Sequence, residues 1–466
     1  VTDSARSREF DLAELREAVA GPVLRRSDVG YTNEVAVYNP VDFLAPVAAV
    51  GVTGVADVQA VVRFAAKHDL PVAIRATGHQ VALHARGALL INTSRMDGVS
   101  VDEIGRIARV EAGVRWSAVI DEAARYGLAP MSGSSPDVGV VGYTLGGGQS
   151  PVLGRSLGWA ADHVREIEVV TADGELRHVT ADREPDLFWA LRGGKGNFGV
   201  VTAITFDLFE VGTFYGGSMY LPGARIAEVL PIWRTWAGTL PEQATTSIAA
   251  ERTPALPELP RVLRNSFVLH VRFAFLGSAE AGERLIAPIR AIAPALIDGI
   301  QTRPYTETAT IHLPRPAATP YYSRTTTLSE LSDKVLDALV ELTGPDSDCP
   351  LAMVEIRALG GALDREPPVP NAVPTRGIPY VVNAFGVSDL DEEELMDGYL
   401  DEVVDVLAPW AVDGRRTVNF LGSEEAVTRD QMRRVYGAQR YDRLADIKRR
   451  FDPGNMFRIN HNIAPQ

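Results

Sequence analysis

From Ala56 to His68 the apolar residues Val58, Val61, Val62, Ala65 and Ala66 recur at intervals of three and four, one stripe of an amphipathic helix. The run LPVAIRA that follows predicts a short buried strand, and GALLINTSRM and IARVEAGV predict two more. RWSAVIDEAARYGL returns to helical spacing and stops near Gly127. In VREIEVVTADGELRHVT two β-rich runs flank Asp173-Gly174, a hairpin signal, and FGVVTAITFDLFEV predicts the next strand.

Beyond about Val211 the texture changes. Longer strand-like runs, GGSMYLPG, SFVLHVRFAFLG, LAMVEIRALGGAL and IPYVVNAFGV, alternate with helical stretches at Leu328 to Leu342 and Glu392 to Leu407. Such a pattern suits a sheet with helices packed on one face, and the whole chain reads as α+β. A last helix, Gln439 to Phe451, is stopped by Asp452-Pro453-Gly454.

With 466 residues the chain is long enough for two or three domains. Its formal net charge of −14 disfavours nucleic acid or an anionic membrane as partner, because both require a basic footprint. One cysteine, Cys349, excludes an intramolecular disulfide framework and a thiolate metal cluster, and no metal site is predicted. No window approaches the roughly 20 apolar residues that span a bilayer, and VTDSARSREF has no apolar signal region, so a cytoplasmic, small-molecule protein is expected.

Two motifs point in other directions. Gly194 to Gly199, GKGNFG, matches the dinucleotide fingerprint, but that loop must open a helix and here a β-branched run follows. Gly154 to Gly158, GRSLG, matches the nucleophile elbow of hydrolases, which would make Ser156 a nucleophile; Pro151 sits where the preceding strand is required. A richer stretch runs from Ser132 to Val164. Glycines 139, 142, 146, 147 and 148 leave backbone N–H groups unshielded, and Ser134 and Ser135 add hydroxyls, a composition that can wrap a diphosphate or allow close backbone crossings.

IRATGH followed by LLINTSRM, then SPDVGVVGYTLGGG, DLFWALRGGKGNFGVVT, VNFLG and YDRLADIKRRFDPGNMFRINHNI, together resemble the FAD-linked oxidases of the vanillyl-alcohol oxidase type. The berberine-bridge-enzyme-like branch, including bacterial secondary-metabolite flavoenzymes, is the nearest likeness. It implies an FAD domain built from residues 1–206 and 421–466, with residues 207–420 inserted as an antiparallel sheet backed by helices that roofs the flavin ring. It also implies that His79 carries the flavin through the 8α carbon, with Gly78 admitting the ring. His84, which lacks the preceding glycine, is the rival.

By the same resemblance Arg75, Ala76, Thr77, Gln80, Ser135, Gly139, Gly142, Leu145, Gly146, Gly148, Val200, Asn460 and Asn462 join His79 and Gly78 in cofactor binding. Ser135 stands where relatives often place a second linking cysteine, so one covalent bond is expected. The tyrosines that relatives carry around an asparagine are absent from Thr417-Val418-Asn419-Phe420. Glu355 is therefore the expected substrate base, between Val354 and Ile356 on a strand, with partial burial raising its pKa, unless it pairs with Arg357 or Arg75. Tyr143 is a second catalytic candidate, and Tyr305, His312, Tyr321, Tyr322 and Tyr380 are possible lining residues.

The implied activity is oxidation or oxygenation of a bulky aromatic or polyketide-like molecule with dioxygen as acceptor, by a monomer or homodimer. The alternatives are a serine hydrolase using Ser156 and a catalytically silent flavin-binding protein.

Overall fold

The computed structural model describes residues 11–39, 45–80, 85–313, 320–387 and 393–466. His84 and the expected helix start at Glu392 lie outside them. The strands are β1 (Val23–Leu24), β2 (Ala48–Gly51), β3 (Val72–Arg75), β4 (Leu89–Asn92), β5 (Val99–Asp102), β6 (Ile107–Glu111), β7 (Val164–Val170), β8 (Leu176–Val179) and β9 (Val200–Asp207). Then come β10 (Thr213–Pro222), β11 (Ala244–Thr253), β12 (Ser266–Phe275), β13 (Ile297–Asp298), β14 (Gln301–Pro304), β15 (Tyr321–Leu328), β16 (Met353–Ala358) and β17 (Tyr380–Val387).

These strands build three sheets in an α+β fold. The first has the order β1-β2-β4-β3, with β2 and β3 both parallel to β4. The helix Val55–His68 connects β2 to that parallel set and lays Val58, Val61, Val62 and Ala65, all fully buried, against it. It ends at Asp69, whose left-handed backbone frees the chain to turn into β3.

The second sheet is antiparallel, β5-β6-β9-β7-β8, and includes the hairpin read from Asp173-Gly174. Gly174 has φ +76, the left-handed backbone that such a turn requires. The C-terminal helix Ala438–Phe451 contributes Tyr441, Leu444, Ala445 and Ile447 to the same core as Ile167, Val169 and Ile204 of this sheet. Residues more than 200 positions apart thus share one apolar interior.

The third sheet is the largest, ordered β13-β10-β12-β11-β16-β17-β15 with β14 beside β10, and every pairing in it is antiparallel. Alternation divides its faces. Val271, Phe273, Ile248, Val354, Ile356 and Val382 pack on the helices Ile226–Ala237, Ala279–Arg290, Asp333–Thr343 and Glu393–Leu407. Ser247, Arg272, Glu355, Arg357 and Asn383 occupy the alternate positions and point to the opposite side. No described helix is long and apolar enough to cross a membrane.

Candidate active site

IRATGH leaves β3 and turns at Gly78, where φ is +69 and a Cβ would collide with Val37. This turn presents His79. Its ring stacks on Tyr38 with centroids 4.0 Å apart, and Nδ1 lies 2.9 Å from Thr77 Oγ1. The other ring nitrogen, Nε2, is buried with no hydrogen-bond partner among the described residues. Burial, reinforced by Arg115, lowers the His79 pKa to about 4, so the imidazole is neutral at pH 7. Tyr321 Oη, from β15, donates to the His79 carbonyl at 2.5 Å and ties the turn to the large sheet.

Gln80 links this turn to the other end of the chain. Its amide donates to the carbonyls of Val418 and Leu421 at 3.0 and 2.9 Å, and its carbonyl accepts from Lys195. Lys195 is held in left-handed backbone, φ +58, inside the glycine loop, and burial lowers its pKa to about 7. The loop is not a dinucleotide fingerprint: a short 3-10 turn, Lys195–Asn197, leads into β9. Asn197 donates to the carbonyls of Gly194 and His461 and accepts from the Ile463 N–H, which brings the terminal segment to the same place.

Asn460 Nδ2 donates to Phe457 and Gly196, while Oδ1 of Asn460 and Oδ1 of Asn462 are buried without partners among the described residues. Gly139 opens the helix Val140–Leu145, and a Cβ there would come into contact with the Thr77 side chain. Gly142 faces open space; a Cβ at Gly146 would overlap Asn419, and one at Gly148 would overlap Tyr143. Arg75, Ala76, Thr77, His79, Gln80 and the glycine run are therefore assembled beside the C-terminal asparagines.

Three of the expected cofactor residues stand apart. Val200 and Leu145 bury their side chains in apolar cores, leaving only backbone to offer. Ser135 is half-buried on a loop, its hydroxyl accepting from the Asp137 N–H at 3.3 Å.

Glu355 requires a correction. Its side chain faces away from Val354 and Ile356 as expected, but its carboxylate is saturated: Oε1 accepts from Arg272 at 2.5 Å and Ser247 at 2.8 Å, and Oε2 from Arg357 at 2.8 Å and Asn383 at 3.3 Å. Burial alone would raise the pKa, but the Arg357 and Arg272 guanidiniums overcome it and hold the carboxyl well below the usual range, the reverse of the expectation. Arg357 is one of the partners anticipated; Arg75 is not, lying instead near the Glu34 carbonyl. Tyr143 is half-buried, with its hydroxyl turned inward and unpartnered among the described residues, and burial raises its pKa well above 10.

Among the expected lining residues, His312 lies 3.5 Å from Glu355 and Tyr321 reaches His79. Tyr305 is occupied instead by Ser132 and the Pro130 carbonyl. Tyr322 is on the helix-packed face and Tyr380 packs against the same core. Ser156 sits in a one-turn helix with no strand before it and donates to the Glu242 carbonyl at 3.1 Å, which removes the hydrolase geometry.

Sequence reasoning missed Arg272, Lys195 and Gln149. Arg272 carries the same signal that exposed Glu355, a charge at an alternate position of an apolar strand, in SFVLHVRFAF. Lys195 is legible as a side chain lodged within a glycine loop. Nothing in the sequence marks Gln149.

The comparisons with known proteins agree with this geometry. Residues 46–180 match the family described as FAD binding domain, and residues 418–464 the one described as berberine and berberine like. The chain is 28% identical over 438 residues to (R)-6-hydroxynicotine oxidase of Paenarthrobacter nicotinovorans, covering 88% of this chain and 89% of that one. It is 44% identical over 179 residues to the FAD-linked oxidoreductase easE of Arthroderma benhamiae, covering 35% of this chain and 36% of that one. In structure it is similar to 6-hydroxy-D-nicotine oxidase from Arthrobacter nicotinovorans, at a TM-score of 0.84 and 24% identity over 98% of this chain and all of that one. An FAD-binding segment near one end, a berberine-like segment near the other, and full-length relatives of this kind place the chain in the vanillyl-alcohol oxidase and berberine-bridge-enzyme-like family of FAD-dependent oxidoreductases.

Proposed function

We propose that the protein oxidises or oxygenates a small organic molecule of the aromatic or polyketide-like class, using FAD joined to His79 through the flavin 8α carbon and dioxygen as final electron acceptor. The observation that carries this reading is the neutral His79 ring, set on a left-handed glycine turn with one nitrogen engaged by Thr77 and the other buried and unpartnered among the described residues. A neutral imidazole is the nucleophilic form, and it can bond to an electrophilic carbon without first losing a proton.

The surrounding donors and acceptors fit the group. Asn460 Oδ1 and Asn462 Oδ1 are acceptors for ring N–H groups, and the Gly139 and Gly142 backbone offers amides unshielded by side chains. Bound FAD supplies a two-electron acceptor for a hydride from substrate carbon. The protein's own part is to hold that carbon under the polar face of the large sheet and keep water out. In this reading residues 1–206 and 421–466 hold the cofactor and residues 207–420 the substrate. Tyr143, held neutral by burial, is a hydrogen-bond donor toward substrate, and Glu355 is the fixed charge that positions Arg272 and Arg357.

The names of relatives add support for oxidative chemistry: one match, 38% identical over 164 residues that cover 34% of this chain and 32% of that one, is the FAD-dependent monooxygenase tpcD of Cochliobolus heterostrophus. The test is the visible spectrum of purified protein before and after acid precipitation. Yellow colour that remains in the pellet is the predicted result. A yellow supernatant over a colourless pellet means that FAD is bound without a covalent link, and a colourless preparation removes the cofactor reading.

A further inference from the structure

Between the glycine loop and the large sheet lies a small cavity of about 10 Å³, the room of one water-sized group, walled by Gln149 and Pro151 on one side and by Thr245, Ser247, Arg272, His312 and Arg357 on the other. Its polar groups fall into two sets. Charged ones neutralise each other: Glu355 takes Arg272 and Arg357, and Glu251 Oε1 takes Arg272 Nη2 at 2.6 Å, so two carboxylates face two guanidiniums. The two histidines beside them, His270 and His312, have pKa values lowered first by burial, and His312, at about 3, is uncharged at neutral pH. The cluster therefore has no net charge with which to draw an anion or a cation.

The second set is unsatisfied. His312 Nδ1, Gln149 Oε1 and Thr245 Oγ1 are buried and have no hydrogen-bond partner among the described residues, and His312 Nε2 has only the Glu355 carboxylate, at 3.5 Å. Gln149 and Thr245 are 6% and 7% exposed, so solvent does not complete them. A buried polar atom without a partner is costly, and three such atoms converging on one cavity call for a group of hydroxyl size that completes them. A neutral imidazole offers one donor and one acceptor, a hydroxyl both, and an amide oxygen only acceptance. The complement of that set is an uncharged group that gives and takes hydrogen bonds at a single atom.

We infer that this cavity is the subsite for a hydroxyl group of an uncharged substrate, the hydroxyl donating to Gln149 Oε1 or to His312 and accepting from His312 or Thr245. This deepens the flavoenzyme reading and rests on it: the ligand class is a neutral phenol, alcohol or polyol. His312 is a binding residue for the hydroxyl, and Glu355, 3.5 Å away, positions it.

The test uses the full-length protein as purified, with D-xylose, catechol and 4-hydroxybenzyl alcohol as probes, each beside its O-methylated form, and benzoate and benzylamine as charged controls. Tryptophan fluorescence reads binding, because Trp233 Nε1 donates to Thr246, which also lines the cavity. At least one hydroxyl compound should bind at least about tenfold more tightly than its methyl ether and than either charged control, the scale of one hydrogen bond. His312→Ala should lose that preference with its flavin content and melting temperature retained, and His312→Gln should recover part of it. If His312→Ala does not fold, Gln149→Leu must lose the preference instead. Equal binding of the ethers, tighter binding of a charged control, no binding by any hydroxyl probe, or a preference that survives in the variants overturns the subsite. Absence of flavin colour would instead count against the cofactor reading, and the two failures are seen in separate measurements.

Discussion

Glu355 Oε1 and Arg272 Nη1 meet at 2.5 Å on the polar face of the large sheet, across the intervening strand β11, on side chains that are 1% and 4% exposed. A pair so deeply buried is costly to break, because the surviving partner is left charged without water. Glu355→Gln removes the charge facing both Arg272 and Arg357 and is expected to lower stability by about 3–5 kcal/mol, measured by urea unfolding. A loss under about 1 kcal/mol would show that the two guanidiniums find other partners.

Lys195 gives the pH dependence of the fold a definite sign. Its pKa drops from 10.5 to about 7 in the folded chain. Between those values the unfolded chain carries a proton that the folded chain has shed, so stability rises with pH across that window and is flat below it. Lys195→Met should remove this contribution, so that the stability difference between variant and wild type shifts in favour of wild type as pH goes from 7 to 10. A difference that does not change with pH would place the lysine in solvent.

The C-terminal segment closes the fold through Lys448 and Asp452, fully buried and 2.7 Å apart. Asp452 also accepts from the Met456 and Phe457 N–H groups, and Lys448 donates to the carbonyls of Asn197 and Phe457. Deleting residues from Asp452 onward strips Lys448 of its counter-charge and uncovers the core around Phe457 and Ile463. Expression of the truncated chain should give insoluble or flavin-free protein by absorbance. A soluble truncation with full flavin content would contradict this.

Much of this architecture is legible from periodicity. The helix expected from Ala56 to His68 spans Val55–His68, and the hairpin at Asp173-Gly174 stands where the turn residues put it. The expected helix from Leu328 is displaced: Leu328 ends β15 and the helix begins at Asp333, because the apolar stripe continues through both and only Ser332 marks the junction. The site was less legible. His79 follows from the glycine before it and from family likeness, since a lone histidine after a strand has no chemistry of its own. Glu355 was found by alternation, but its partner Arg272 lies 83 residues away on β12, two strands removed from β16 with β11 between them, and the sign of the carboxyl's pKa depends on that contact.

Attachment of the cofactor to His79 is tested most directly by intact-protein mass. Wild-type protein and Ser135→Ala, denatured in acid, should both weigh one FAD more than the polypeptide, with the extra mass on the peptide that contains His79. His79→Ala should fold and weigh the polypeptide alone. Extra mass that persists in His79→Ala, or is absent from wild type, would contradict it.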